Sequence, residues 1–169
     1  MANLSPGGEH AALYLEELRV GRRFLSGTHR IDEEQIRAFA QQFDPQPFHL
    51  DAESAKTTFF EGLVASSWHT AALTMRRLVG GGFPIAGGIV GAGGELMWPK
   101  PARPGGVLHV ESEIHELRPS RSRPDRGVVT VRSETSDQLG EVVQVLVARL
   151  VVPRRVQGGT HGDQQSKES

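Results

Sequence analysis

Residues 43–49 read Phe43-Asp44-Pro45-Gln46-Pro47-Phe48-His49, a carboxylate and an imidazole five positions apart with two prolines between them. Each proline restricts its own backbone and that of the residue before it. The heptapeptide therefore forms a short rigid bend able to aim both groups at one point, a candidate acid/base pair. Upstream, Asp32 reads as an N-cap with Gln35 as the reciprocal partner of a capping box, and Ile36, Phe39, Ala40 and Phe43 recur at the spacing of one helical face. A helix of about three turns should run up to Phe43, and Pro45 pushes Asp44 out of the α region where that helix stops. Pro47 is expected to keep the chain extended to His49, after which Asp51 caps a short helix over residues 52–57. From these residues alone a second reading stays open, with Asp44 a turn residue and His49 a packed histidine satisfied by a backbone carbonyl.

Between residues 63 and 79 the positions Trp68, Ala71, Ala72, Met75, Leu78 and Val79 fall on one stripe at helical spacing, which predicts a long buried helix. Ser66 or Ser67 is its natural cap, and Gly80-Gly81-Gly82 followed by Phe83-Pro84 ends it. The unpaired N–H groups and dipole of its first turn favour incoming negative charge. His69, one turn in, reads either as a lining residue of a pocket or as a satisfied interior histidine.

Beyond the glycines the pattern changes to strands. Segments 89–98, 107–117, 127–135 and 141–152 are rich in Val, Ile and Leu and are bounded by Pro, Gly, Asp or Ser. Leu108, Val110, Ser112 and Ile114 alternate with His109, Glu111, Glu113 and His115, which implies one wet face. Segment 141–152 is apolar on both faces except at Gln144 and Arg149, the mark of a central strand. With 23–31 this makes about five strands and one long helix, an α+β layout with a curved antiparallel sheet against a helix. Gly87-Gly88, Gly91 and Gly93-Gly94 would weaken their strand unless something must come close, and a helix pressed into the sheet is the expected cause.

The chain has 169 residues, a formal net charge of -1 and no cysteine. That is enough for one domain with tails, divided here as a flexible tail 1–12, a single domain 13–153 and a flexible tail 154–169. Near-neutral charge predicts no affinity for nucleic acid or anionic membrane, and the N-terminus lacks the basic start and apolar run of a secretory signal. A cytoplasmic protein is the expectation. The lack of cysteine excludes disulfides, thiolate metal sites and a cysteine nucleophile. Neither His-Glu-x-x-His nor Gly-x-Ser-x-Gly occurs, which argues against a metallohydrolase and a serine hydrolase.

The run from Phe39 to Leu78 resembles the MaoC-like acyl dehydratases, which include (R)-specific 2-enoyl-CoA hydratases. That family's pattern is Asp-x-Asn-Pro-x-His, an Asp with a short helix, and then an apolar-Ala-His/Ser-Gly turn opening the central helix. The corresponding residues are Asp44-Pro45-Gln46-Pro47-Phe48-His49, Asp51, and Leu63-Val64-Ala65-Ser66-Ser67-Trp68. The stretch Glu95 to Gly106 resembles the strand and turn that follow. Gln46 stands where the family has Asn, and Ser67 where it has Gly.

The resemblance implies a hotdog fold, a long helix wrapped by an antiparallel sheet. It also implies that Asp44 and His49 together activate a water for addition to a 2-enoyl thioester of CoA or of an acyl-carrier protein, reversibly. Ser66, Ser67 and Trp68 would bind the substrate, with the N–H of Ser67 or Trp68 facing the thioester oxygen. No metal or redox cofactor is required. A homodimer or higher homo-oligomer is expected because a single sheet leaves edges to pair. Two rival readings remain, a hotdog thioesterase attacking the carbonyl and a non-catalytic acyl-CoA-binding subunit. The loop Arg118–Arg126, with four arginines, reads as a contact for CoA phosphates or as a solvated hairpin connection.

Overall fold

The computed structural model describes residues 11–155. The expected tails lie outside the described residues except at 11–12 and 154–155, where Arg154 and Arg155 form ion pairs with Glu16 and Glu17.

Four helices precede most of the sheet: α1 Glu33–Phe43, α2 Pro47–Leu50, α3 Ala52–Ala55 and α4 Ser67–Arg77. Asp32 caps α1 by accepting the Gln35 N–H at 2.8 Å. The return half of the capping box does not form. Gln35 instead sends its amide to the Asp32 carboxylate at 3.0 Å and sets its carbonyl oxygen 2.8 Å from His29 Nε2. Ile36 and Ala40 face the core, whereas Phe43, at the end of the same stripe, is exposed.

The segment after Pro47 is not extended. Pro47 opens the single turn α2, because its fixed φ suits the first helical position and its missing N–H would have gone unpaired there. That turn swings His49 inward.

The sheet has six strands rather than five: β1 Arg23–Leu25, β2 His29–Arg30, β3 Val90–Met97, β4 Val107–Pro119, β5 Arg126–Ser136 and β6 Val142–Pro153. Its order is β1-β4-β5-β6-β3, with β2 also on β4, and every pairing is antiparallel. The extra strand arises because 23–31 is interrupted at Ser26, whose backbone and hydroxyl both engage Val110 on β4. β6 lies inside the sheet as its two apolar faces imply, and β4 alternates buried and wetter residues as read from the sequence.

At Gly94 in β3 the cause differs from the one expected. A Cβ on Gly94 would lie 2.6 Å from the Val147 carbonyl oxygen and 3.1 Å from Ala148 Cα, so it is the backbone of β6 that comes close, beside a bulge between Gly91 and Gly94. α4 ends as predicted at the glycine run, through a π-helical turn Leu78–Gly82 in which Gly81 takes φ 110°.

α4 lies against the sheet, but not on the stripe expected. Its buried residues are His69, Thr70, Leu73 and Thr74, while Trp68, Met75 and Val79 are exposed. Threonines can be buried here because they are hydrogen-bonded. Thr74 Oγ1 donates to the Thr70 carbonyl or to Thr135 Oγ1 (2.9 and 2.6 Å) and accepts from Gln144 Nε2 at 2.9 Å, and Gln144 Oε1 accepts from Trp98 Nε1 at 2.9 Å. The stripe Trp68, Met75, Leu78 instead lines, with Phe83, Leu96 and Trp98, an open apolar cavity of about 610 Å³ between α4 and strands β3 and β6.

Two apolar clusters hold this arrangement. One joins Leu15, Leu78, Phe83, Val110, Ile114, Val129 and Val152, and the other joins Ile36 on α1, Leu63, Leu73 on α4, Leu108 and Val143. The second fixes α1 and α4 relative to each other beneath the loop that carries Asp44. Among the described residues no helix is long and apolar enough to cross a membrane.

Candidate active site

Asp44 is the C-cap of α1, and Pro45 directly after it stops the helix. His49 sits in the α2 turn and is 5 % exposed. Its Nδ1 lies 2.7 Å from the Val64 carbonyl oxygen. A carbonyl only accepts, so Nδ1 carries the hydrogen and the neutral ring presents Nε2 as a bare acceptor. That nitrogen lies 3.3 Å from Asp44 Oδ2. The backbone-satisfied histidine of the second reading is thus half right: the carbonyl holds one nitrogen and thereby points the other at the carboxylate.

Asp44 is held from several directions. Ser66 Oγ donates to Oδ2 at 2.7 Å, and Gln46 Nε2 donates to Oδ1 at 2.7 Å. Burial pushes the carboxyl upward, but the hydrogen bonds from Ser66 and Gln46 outweigh it, joined by His49 when that ring is protonated, and hold Asp44 below the usual carboxylate range. Asp44 is therefore ionised at neutral pH.

The three residues at the head of α4 part company. Ser66 is fully buried, donates to Asp44, and caps the helix by accepting the Trp68 N–H at 3.2 Å. It cannot reach a ligand, so its expected contact with substrate gives way to a contact with Asp44. Trp68 has its N–H engaged by that cap and its indole 60 % exposed, packed edge-on against Trp98 at 5.5 Å. Of the two N–H groups expected at a thioester oxygen, Ser67's is the one the cap leaves free. The Trp68 side chain belongs to the cavity wall.

His69 is interior but not satisfied. It stacks on Phe39 at 4.7 Å, and its buried Nδ1 has no hydrogen-bond partner among the described residues. Burial, with a smaller contribution from His29, pushes its imidazole down to about 4, which keeps it neutral. The arginine loop joins β4 and β5, and within it Arg126 pairs with Asp125 at 2.7 Å. The sequence reading did not anticipate the Ser66–Asp44 bond. Its only signal was a serine at the helix cap, which says nothing of a partner 22 positions away.

The MaoC like domain family matches residues 17–137. A MaoC-like dehydratase from Rhodospirillum rubrum is similar over 86 % of this chain and 100 % of its own, with 57 % identity and a TM-score of 0.85. The (R)-hydratase PhaJ1 from Pseudomonas aeruginosa, in its unliganded form, is similar over 85 % of this chain and 88 % of its own, with 28 % identity and a TM-score of 0.68. The uncharacterized protein YdeM of Bacillus subtilis is 31 % identical over 73 % of this chain and 87 % of its own.

Proposed function

The chain belongs to the MaoC-like dehydratase family, and from that membership and the site's geometry we propose that it adds water reversibly to a 2-enoyl thioester of CoA or of a carrier protein. One observation carries the reading: Asp44 Oδ2 and His49 Nε2, both acceptors in the neutral-ring state, face each other at 3.3 Å. Two lone pairs so placed repel unless a donor serves both. A water molecule does so, giving one hydrogen to each and leaving an oxygen lone pair free to attack C3.

Asp44 takes the water proton as the C3–O bond forms, and the π electrons of the C2=C3 bond move onto the thioester carbonyl as an enolate. The enolate then collapses and C2 takes the proton back from Asp44, so the carboxylate ends as it began. The negative charge on the thioester oxygen meets the Ser67 N–H at the positive end of α4. The acyl tail fits the apolar cavity whose wall begins at Trp68.

The reading is tested by offering trans-2-enoyl-CoAs of graded length and identifying products by mass. A 3-hydroxyacyl thioester supports hydration, whereas free CoA would make the protein a thioesterase. Ser67 gives a second expectation. Ser67→Gly should keep or raise turnover by clearing the helix entrance, while Ser67→Val should lower it by about 10- to 100-fold through misplacement of the thioester. Equal rates for both variants would show that the reaction does not occur there.

We further infer a homodimer. Among the described residues β3 is a sheet edge paired only with β6, and Trp68, Met75, Val90 and Met97 stand exposed at or beside it. A second copy covers both the open edge and the apolar surface. Light scattering at micromolar concentration should give twice the chain mass of 18.4 kDa, and a strict monomer would overturn the assembly.

A further inference from the structure

Ser66 is a buried polar group beside Asp44 that the hydration step leaves unused. Its hydroxyl has one hydrogen, and that hydrogen must go to Asp44 Oδ2, because the other contact, the Trp68 N–H, is itself a donor. The serine is therefore oriented from two sides and has no freedom to turn. It is 0 % exposed, so water cannot take its place. The other neutral donor to Asp44, the Gln46 amide, is exposed, and solvent can replace it. His49 is the titratable group that faces the carboxylate, and it can donate only when protonated.

We propose that Ser66 is a positioning residue for this site: its buried hydroxyl pins the Asp44 carboxylate so that Oδ2 stays opposite His49 Nε2. This rests on the hydratase reading above and adds to it a residue that never touches substrate. Two consequences follow from the chemistry. A hydroxyl donating to a carboxylate favours the ionised form over the protonated one, so Ser66 keeps Asp44 charged. The same oxygen caps α4, so one side chain ties the position of the base to the position of the Ser67 N–H. If the pin is lost, the carboxylate can rotate away from His49, and because the Ser67 N–H acts on charge that develops in the transition state, any loosening of the cap falls on turnover as well. The loss should therefore appear in kcat and much less in KM.

The test compares Ser66→Ala, which removes the hydroxyl, Ser66→Cys, which keeps the volume but donates weakly, and Ser66→Thr, which keeps the hydroxyl. Turnover of a short trans-2-enoyl-CoA is measured for each. In parallel, the Asp44 carboxyl is titrated by carbon NMR in free protein, a readout that needs no activity. We expect kcat of Ser66→Ala and Ser66→Cys to fall about tenfold or more at little-changed KM, with recovery in Ser66→Thr. The Asp44 titration should move up by about one pH unit in Ser66→Ala and Ser66→Cys, the size of one lost hydrogen bond to a charged group. Should Ser66→Ala prove too unstable to purify, the near-isosteric Ser66→Cys carries the same two readouts.

An unmoved Asp44 titration in folded Ser66→Ala or Ser66→Cys overturns the proposal, and so does a rise in KM with kcat intact. Wild type that hydrates no enoyl thioester would instead sink the hydratase reading, while the NMR titration would still report whether Ser66 holds Asp44.

Discussion

Asp44→Asn should lower hydration of a short trans-2-enoyl-CoA by at least about 100-fold, the lower end for loss of a general acid/base group. The variant keeps its shape. The Gln46 amide is exposed and can turn its oxygen toward the new NH₂, and Ser66 can still donate to the remaining oxygen. His49→Ala should cost a similar factor in rate, together with about 1–3 kcal/mol of stability because the Val64 carbonyl loses its partner. Since one water needs both acceptors, the double variant should be little slower than either single variant. The assay follows loss of the conjugated enoyl-thioester absorbance and confirms product by mass, with circular dichroism as the check on folding. Full rate in both single variants of an active wild type would mean that the pair is misassigned. A wild type that binds acyl-CoA without turnover would make the chain a binding subunit.

Phe83→Ala is expected to have the largest effect on stability. The ring is 2 % exposed and meets Phe24 edge-on at 4.8 Å, in the cluster that joins the end of α4 to the sheet. Truncation of a buried phenylalanine costs about 3–5 kcal/mol through lost transfer energy and the cavity left behind. At about 2–4 °C per kcal/mol for a chain of this size, Tm should drop by roughly 6–20 °C. In urea the midpoint should fall with the slope unchanged. Phe59→Ala is the control: Phe59 is 95 % exposed, and its loss should stay within about 0.5 kcal/mol. Equal costs for the two variants would mean that the core does not lie where the structure puts it.

Much of this architecture was legible in residue order because it rests on local rules. Asp32, Asp51 and Ser66 cap helices where short polar side chains precede apolar periodicity. The glycine run ends α4, and the alternation in β4 gives its dry and wet faces. Where local rules offered two outcomes, the choice failed. Proline after a helix stop can hold the chain extended or open a new turn, and Pro47 opens one. An apolar stripe can face a core or line a cavity, and Trp68 and Met75 do the second while Leu78 at the stripe's end also joins the core, because hydrogen-bonded threonines occupy the buried side. Gly94 in β3 announced a close approach without saying of what, since the partner strand β6 lies more than fifty positions downstream.

The same division runs through the site. By itself the sequence determined that a carboxylate and an imidazole share a rigid bend ahead of a helix start, because proline geometry and capping act within a few residues. Only the tertiary structure decided which nitrogen of His49 faces Asp44, since that depends on the Val64 carbonyl fifteen positions away. It likewise turned Ser66 from a substrate contact into the buried donor that holds Asp44, and left Ser67 with the free N–H. Hydrogen bonds of this kind depend on distances set by packing α1 and α4 over a common core, and no spacing along the chain encodes them.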